Sequence, residues 1–155
     1  MAVNLVFDGA VINTPSPVSA TAATLVVTRA QHANRTIILA RSGGIAVTLP
    51  AATGSGDKYR FVIGVVSTTG YSISAVVGTD LMEGTIGIVT DSGDAIEAFE
   101  SGATDDTITF NGTTTGGVAI GDWVELEDVS ATGWFVRGQV TGSGDEVTPF
   151  SDAVA

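Results

Sequence analysis

The sequence contains no cysteine, one histidine and only six basic residues among its 155. Without cysteine there is neither a disulfide framework nor a thiolate metal site, and a single histidine excludes a multi-histidine metal site. No apolar run approaches the roughly 20 residues that span a bilayer. No basic segment leads into an apolar run at the start, so a secretory signal is not expected either.

Bases are scarce and unevenly placed. Seventeen acids against six bases give a formal net charge of -11. Such a balance argues against nucleic acid as a partner, because binding phosphates requires clustered lysine and arginine. Either the acidic surface only keeps the protein soluble, or a less acidic segment docks on a partner. In the second case the interface candidates are the five bases between residues 29 and 60: Arg29, Arg35, Arg41, Lys58 and Arg60.

Short β-branched runs recur along the whole chain, for example "TIILA" (36–40), "YRFVIGVV" (59–66) and "WVELEDV" (123–129). Clusters of Gly, Ser, Asp, Asn and Thr separate them. This spacing predicts an all-β fold, either an antiparallel β-sandwich or a jelly-roll-like barrel. Residues 94–100 fit a strand or a short helical turn equally well.

Both ends differ from the rest. A short apolar strand, "VNLVF" (3–7), precedes a segment with two prolines, which favours extended geometry. We therefore predict an extended N-terminal arm over residues 1–24 and a single β domain with a short C-terminal tail over residues 25–155. Contacts elsewhere are needed to order either end. The apolar interface candidates are Val3, Leu5 and Phe7 in the arm and Phe150 in the tail.

The segment "TGSGDKY" (53–59) has the glycines and lysine of a phosphate-binding loop. A P-loop, however, needs Lys-Ser/Thr directly after its last glycine and a helix behind it. Here Asp57 follows Gly56, Tyr59 follows Lys58, and the next residues have the composition of a strand. We predict a turn between two strands and no cofactor.

No catalytic or metal site is predicted from the remaining polar residues. His32 lies in a polar connection, "RAQHANR", and is expected to make hydrogen bonds at the surface or between strands, not to act as a base. Three acidic clusters keep calcium open as a minor alternative: 91–94 with Glu97, 104–106, and 122–128. None has the spacing of an EF-hand loop.

The run "WVELED" alternates, which places Trp123, Glu125 and Glu127 on one face of a strand, with Val124 and Leu126 facing inward. This predicts a solvated acidic face. The aromatic residues Trp123, Trp134 and Phe135 are expected to be core residues or interface anchors.

Three segments together resemble small head-decoration, or capsid cement, proteins of tailed bacteriophages. They are "HANRTIILARSGGIAVTLPAATGSGDKYRFVIG" (32–64), "DTITFNGTTTGGVAIGDWVELEDVSATGWFVRGQVTGSG" (106–144) and "TPFSDA" (148–153). The resemblance implies an all-β protein made in the host bacterial cytoplasm and bound to the capsid exterior of the virion.

The partners that the resemblance implies are the major capsid protein and further copies of the chain, as a trimer or another small symmetric oligomer. It implies neither catalysis nor a cofactor, and no residue inherits such a role from it. Membranes and nucleic acid are not expected partners. The alternative is a tail or head-fibre module of the virion that binds glycans.

Overall fold

The structure is a computed structural model and describes residues 4–7, 10–13, 15–90 and 95–154, the first two ranges by their backbone alone. The chain is almost entirely β, as predicted. In order, its elements are β1 (Asn4–Phe7), β2 (Ala10–Asn13), β3 (Val18–Ala20), β4 (Thr24–Val26), α1 (Arg29–His32), β5 (Arg35–Leu39), β6 (Ala46–Thr48), β7 (Lys58–Ile63), β8 (Tyr71–Ser74), β9 (Leu81–Val89), β10 (Ile96–Glu100), β11 (Thr107–Phe110), β12 (Trp123–Ser130), β13 (Gly133–Thr141) and β14 (Phe150–Ser151).

Two sheets pack face to face and confirm the predicted sandwich. The larger sheet has seven strands in the order β10-β9-β13-β12-β7-β5-β3, and the smaller has five in the order β14-β11-β8-β6-β4. Both sheets are mixed, whereas the sequence analysis expected antiparallel pairing. For instance, β13 is antiparallel to β12 but parallel to β9.

Apart from β13 with β9, the parallel pairs arise because the first half of the sandwich is wound as a coil. From β3 to β8 the strands alternate between the two sheets, so strands adjacent in one sheet are separated in sequence by a strand of the other. Each strand therefore runs parallel to the one a full coil earlier, as β5 does to β3 and β8 does to β6. The second half, from β11 onward, adds antiparallel strands to both sheets.

Alternating side chains fill the space between the sheets. In β7, Tyr59, Phe61 and Ile63 are buried. The Tyr59 ring meets Trp134 edge to face, with 5.7 Å between ring centroids. From the smaller sheet, Ile73 joins the same core. This period-2 burial is the pattern that the strand runs predicted.

The domain boundary predicted after residue 24 is wrong, because β3 and β4 are already strands of the two main sheets. The C-terminal tail is not loose either. Strand β14 pairs with β11, and the amides of Ala153 and Val154 donate to the buried Asp106 carboxylate. Ahead of the sandwich, β1 and β2 pair with each other as a separate two-stranded sheet.

Two local assignments complete the comparison with the sequence. Residues 96–100 form a strand, one of the two alternatives left open for this segment. Helix α1 was not predicted and lasts only one turn, within the segment that the sequence analysis treated as a polar connection. No helix in the described part of the chain is long and apolar enough to cross a membrane.

Candidate functional site

The glycine-rich segment 53–57 does bind an anion, and that anion is a carboxylate of the same chain. Asp128 Oδ1 accepts hydrogen bonds from the amides of Thr53 (2.8 Å) and Gly54 (2.7 Å). Its Oδ2 accepts from the hydroxyls of Thr53 (2.7 Å) and Ser55 (2.8 Å). The segment connects β6 and β7, as the predicted turn does, and the donors that a phosphate would need are used by Asp128.

The Asp128 carboxylate is held in its charged form. Burial alone would raise its pKa, but the hydrogen bonds from Thr53, Ser55 and Gly54 outweigh that cost and lower the pKa to about 2. Asp128 is nearly inaccessible to solvent, with 3% of its surface exposed. Its charge therefore stabilises the loop and is not presented to a ligand.

Two other members of the predicted acidic clusters also hold the backbone: Asp106 binds the tail, and Asp122 accepts from Thr141 and Ala119. Asp80, which lies outside those clusters, accepts from the amide of Ala52 at 2.9 Å. Over the described ranges, no three His, Asp or Glu side chains converge in a way that could hold a metal ion. Residues 91–94, part of one predicted cluster, lie outside the described residues.

His32 is buried, which the sequence did not indicate. The amide of Thr28 donates to its Nδ1 at 3.0 Å, so the ring closes the short helix α1 onto the residue before it. The hydrogen bond agrees with the predicted hydrogen-bonding role, but it is neither at the surface nor between strands, where that role was expected. The ring nitrogen that accepts this bond is directed at the backbone of its own helix.

The five bases predicted as one docking segment do not form one surface. Arg29 pairs with Asp57, Arg35 donates to the carbonyls of Ser16 and Gln31, and Arg41 donates to those of Gly43 and Gly44. Arg35 and Arg41 flank opposite ends of β5. Only Lys58 and Arg60, both on β7, share one sheet face, because they are two residues apart.

The apolar interface candidates have different outcomes. Phe150 is a core residue, 5% exposed, because β14 closes the edge of the smaller sheet; its assignment to an interface is wrong for this chain. Leu5 and Phe7 lie on β1, whose partner within the chain is β2. Val3 lies outside the described residues.

The outward side of the seven-stranded sheet is the best candidate for a functional surface, and we call it the outer face. Strand pairing places its residues in three rows that run across the strands. The rows are Lys58-Glu127-Phe135-Glu83, then Thr36-Arg60-Glu125-Arg137-Thr85-Glu100, then Ile38-Val62-Trp123-Gln139-Gly87-Ala98. Buried core residues alternate with these positions along each central strand.

The outer face is a ladder of paired charges around two aromatic rings. Arg137 Nη2 lies 2.6 Å from Glu125, and Lys58 Nζ lies 3.2 Å from Glu127. The guanidinium of Arg60 stacks 4.2 Å from the centroid of the Trp123 ring. The predicted acidic face of β12 is thus neutralised by neighbouring strands, an outcome that depends on strand order.

Phe135 is not a core residue, although the core was one of the two positions expected for it. Its side of β13 faces outward and it is 54% exposed, whereas its neighbour Trp134 is completely buried. An open groove of about 390 Å³ surrounds Phe135, lined also by Glu83, Glu127 and Arg137. The alternation of "WFVRGQ" contains this signal, since Phe135, Arg137 and Gln139 share one side of the strand.

No protein-family model, curated protein or solved structure matches this chain.

Proposed function

We propose that the protein is a non-enzymatic structural component of a bacteriophage virion, bound to the outer surface of the capsid. It acts by bridging shell subunits, and its partners are the major capsid protein and other copies of itself. The resemblance implies a trimer or another small symmetric oligomer. Because each bound copy adds interface to the assembled shell, it stabilises the shell by mass action, without turnover.

The observation that carries this proposal is the separate hairpin at the N-terminus. Strands β1 and β2 pair with each other and with no third strand among the described residues. Their sequences, "NLVF" and "AVIN", are mostly apolar. A two-stranded ribbon is only marginally stable in water. Contact with a neighbouring subunit would stabilise it, so the hairpin is the proposed attachment element.

The connection between hairpin and sandwich supports this role. Arg35 Nε donates to the Ser16 carbonyl at 2.7 Å, which fixes the segment after the hairpin to the first residue of β5. The hairpin therefore leaves the sandwich at a defined point. In the sandwich itself, loops are held by buried carboxylates such as Asp128, as expected of a rigid spacer.

The proposal is tested by binding to empty shells assembled from the major capsid protein of the same phage. We expect the full-length protein to cosediment with shells on a gradient and a variant lacking residues 1–14 to remain at the top. Leu5→Asp should also weaken binding strongly, because it replaces an apolar residue of the hairpin with a charged one, whereas position 4 is already polar. Asn4→Asp, on the neighbouring position, is the matched control and should bind normally.

Circular dichroism must show an unchanged β spectrum for each variant, since the sandwich does not depend on residues 1–14 for its strand pairing. Full binding by the truncated protein would show that the hairpin is not the attachment element. Failure of the intact protein to bind shells at any concentration would overturn the virion role itself.

A further inference from the structure

The side chains of the outer face are arranged so that the face is complementary to a copy of itself, which neither the resemblance nor the hairpin suggests. Without the three-residue edge strand β3, the larger sheet has six strands, and its middle falls between β12 and β13. Consider a twofold axis that runs along this middle line, parallel to the strands and in the plane of contact. Rotation about it places the outer face of a second copy against the outer face of the first. Each residue of one copy then faces a residue of the other copy that lies in the same row, at the same distance from the axis but on its opposite side.

The charges in the three rows are complementary under this operation. Lys58 on β7 meets Glu83 on β9, and Glu125 on β12 meets Arg137 on β13. Arg60 meets Thr85. None of the facing positions in the three rows brings like charges together, and like charges facing each other would strongly disfavour the contact. Glu83 is exposed and makes no ion pair within the described part of the chain, so it is free for this contact.

Side-chain sizes in the third row are complementary as well. Ile38 on β5 meets Ala98 on β10, and Val62 on β7 meets Gly87 on β9. The bulky residues lie on one half of the face and the small ones on the other, so each fills the space opposite. Both copies of Phe135 lie next to the axis, where their exposed rings would be covered.

From this complementarity of charge and size we propose that the outer face binds the outer face of a second copy of this chain, forming a twofold symmetric dimer. The contact is isologous, so Lys58 of each copy meets Glu83 of the other. Its residues do not include the N-terminal hairpin, and it stands or fails independently of the virion role. A twofold contact makes the oligomer a dimer, which is one of the small symmetric oligomers that the resemblance allows, and not a trimer.

The size of the face sets the expected strength. Six strands about 4.8 Å apart and three rows about 6.8 Å apart cover roughly 600 Å² on each copy. The total, about 1,200 Å², is at the lower limit of standard interfaces. The twist of each sheet rotates the two copies by about 30°, so contacts near the axis are the closest. We expect a dissociation constant on the order of micromolar that rises with salt.

The test is a charge-swap experiment read by sedimentation velocity and light scattering. Wild type should be a concentration-dependent dimer. Glu83→Lys places two pairs of lysines in contact and Lys58→Glu two pairs of glutamates, so each variant alone should dimerise at least about 100-fold more weakly. Mixing the two variants makes both pairs opposite in sign again and should restore a mixed dimer.

Asp145→Lys is the matched control, since it reverses an exposed acid in the loop after β13, away from the outer face, and should leave the dimer unchanged. Lys58→Glu also breaks the exposed ion pair to Glu127, and because exposed ion pairs contribute little to stability the fold should persist. A monomer at all concentrations, an oligomer insensitive to Glu83→Lys, or variants that do not associate on mixing would each overturn the proposal.

Discussion

Buried aspartates at the two ends of strand β12 are bound by two copies of the same five-residue sequence, yet their pKa values shift in opposite directions. The sequence "TGSGD" occurs twice, at 53–57 and 141–145. In both copies the first threonine donates its amide and its hydroxyl to a buried aspartate. Thr53 binds Asp128 near the end of β12, and Thr141 binds Asp122 immediately before its start.

The two copies differ in where their remaining residues donate hydrogen bonds. In the first copy Gly54 and Ser55 also donate to Asp128, and the pKa of that carboxyl falls to about 2. In the second copy the next residues turn away, and Ser143 donates to the carbonyl of Thr113 instead. Burial then dominates over the hydrogen bonds from Thr141 and Ala119, and the pKa of Asp122 is raised.

Whether a buried carboxylate is stabilised as an anion therefore depends on how its burial balances against the hydrogen bonds it accepts, and not on the motif that supplies the donors. Asp128 is therefore expected to hold its loop as a charged anchor. Asp122 is expected to work equally well as a neutral hydrogen-bonding group. Substitutions at the two positions separate these roles.

Removing the carboxylate of Asp128 should have the largest effect. Asp128→Ala leaves two amides and two hydroxyls of residues 53–55 without their acceptor, and charge-assisted hydrogen bonds are among the strongest in proteins. We expect the free energy of unfolding to fall by about 3 kcal/mol. Urea denaturation at pH 7 measures it; a loss below about 1 kcal/mol would mean that the loop is held by other contacts.

The smaller substitution Asp128→Asn isolates the contribution of the carboxylate charge to stability. The folded pKa of Asp128, about 2, lies below its ordinary value of 3.8, so this carboxylate stabilises the fold above pH 4 and loses that contribution as the pH falls towards 2. The contribution is about 2 kcal/mol. Asp128→Asn keeps an acceptor for the amides but cannot titrate. The variant should therefore lose less stability than wild type between pH 4 and pH 2 in urea titrations.

If Asp128→Asn and wild type lose stability in parallel over that range, the acid sensitivity must come from other carboxylates. Thr79, an exposed residue in the turn before β9, offers a neutral control: Thr79→Ser should leave the acid limb unchanged.

How far the sequence predicts these features depends on whether the information is local. The alternation in β12 correctly predicts that Val124 and Leu126 face inward and Glu125 outward, because period-2 burial needs only the strand itself. The partners of those residues are not local. Arg137 reaches Glu125 through strand order, and Thr53 reaches Asp128 across 75 residues.

The same limit explains the errors. The coil from β3 to β8 gives parallel neighbours, yet its strands are as short and β-branched as those of an antiparallel sandwich. Phe150 looks like a tail residue in the sequence, and only its pairing beside β11 makes it part of the core. Phe135 and Trp134 are adjacent aromatics, and the register of β13 decides which of them reaches solvent.

The smallest and most discriminating change is Asp122→Asn, which tests the other end of β12. The folded pKa of Asp122 is raised above 3.8 by burial, so its ionisation costs stability at neutral pH, and the cost disappears as the pH falls through the folded pKa to below 3.8. An asparagine oxygen can accept from the amides of Thr141 and Ala119, while its amino group donates to the Thr141 hydroxyl. The variant should thus be at least as stable as wild type at pH 7, with a change below about 1 kcal/mol. Its advantage should shrink on acidification, opposite in sign to the effect at Asp128.

Thermal and urea unfolding at pH 7 and pH 4 measure both quantities. If Asp122→Asn instead destabilises the protein at pH 7 as strongly as Asp128→Ala, both aspartates are charged anchors and the difference between the two ends of β12 is lost.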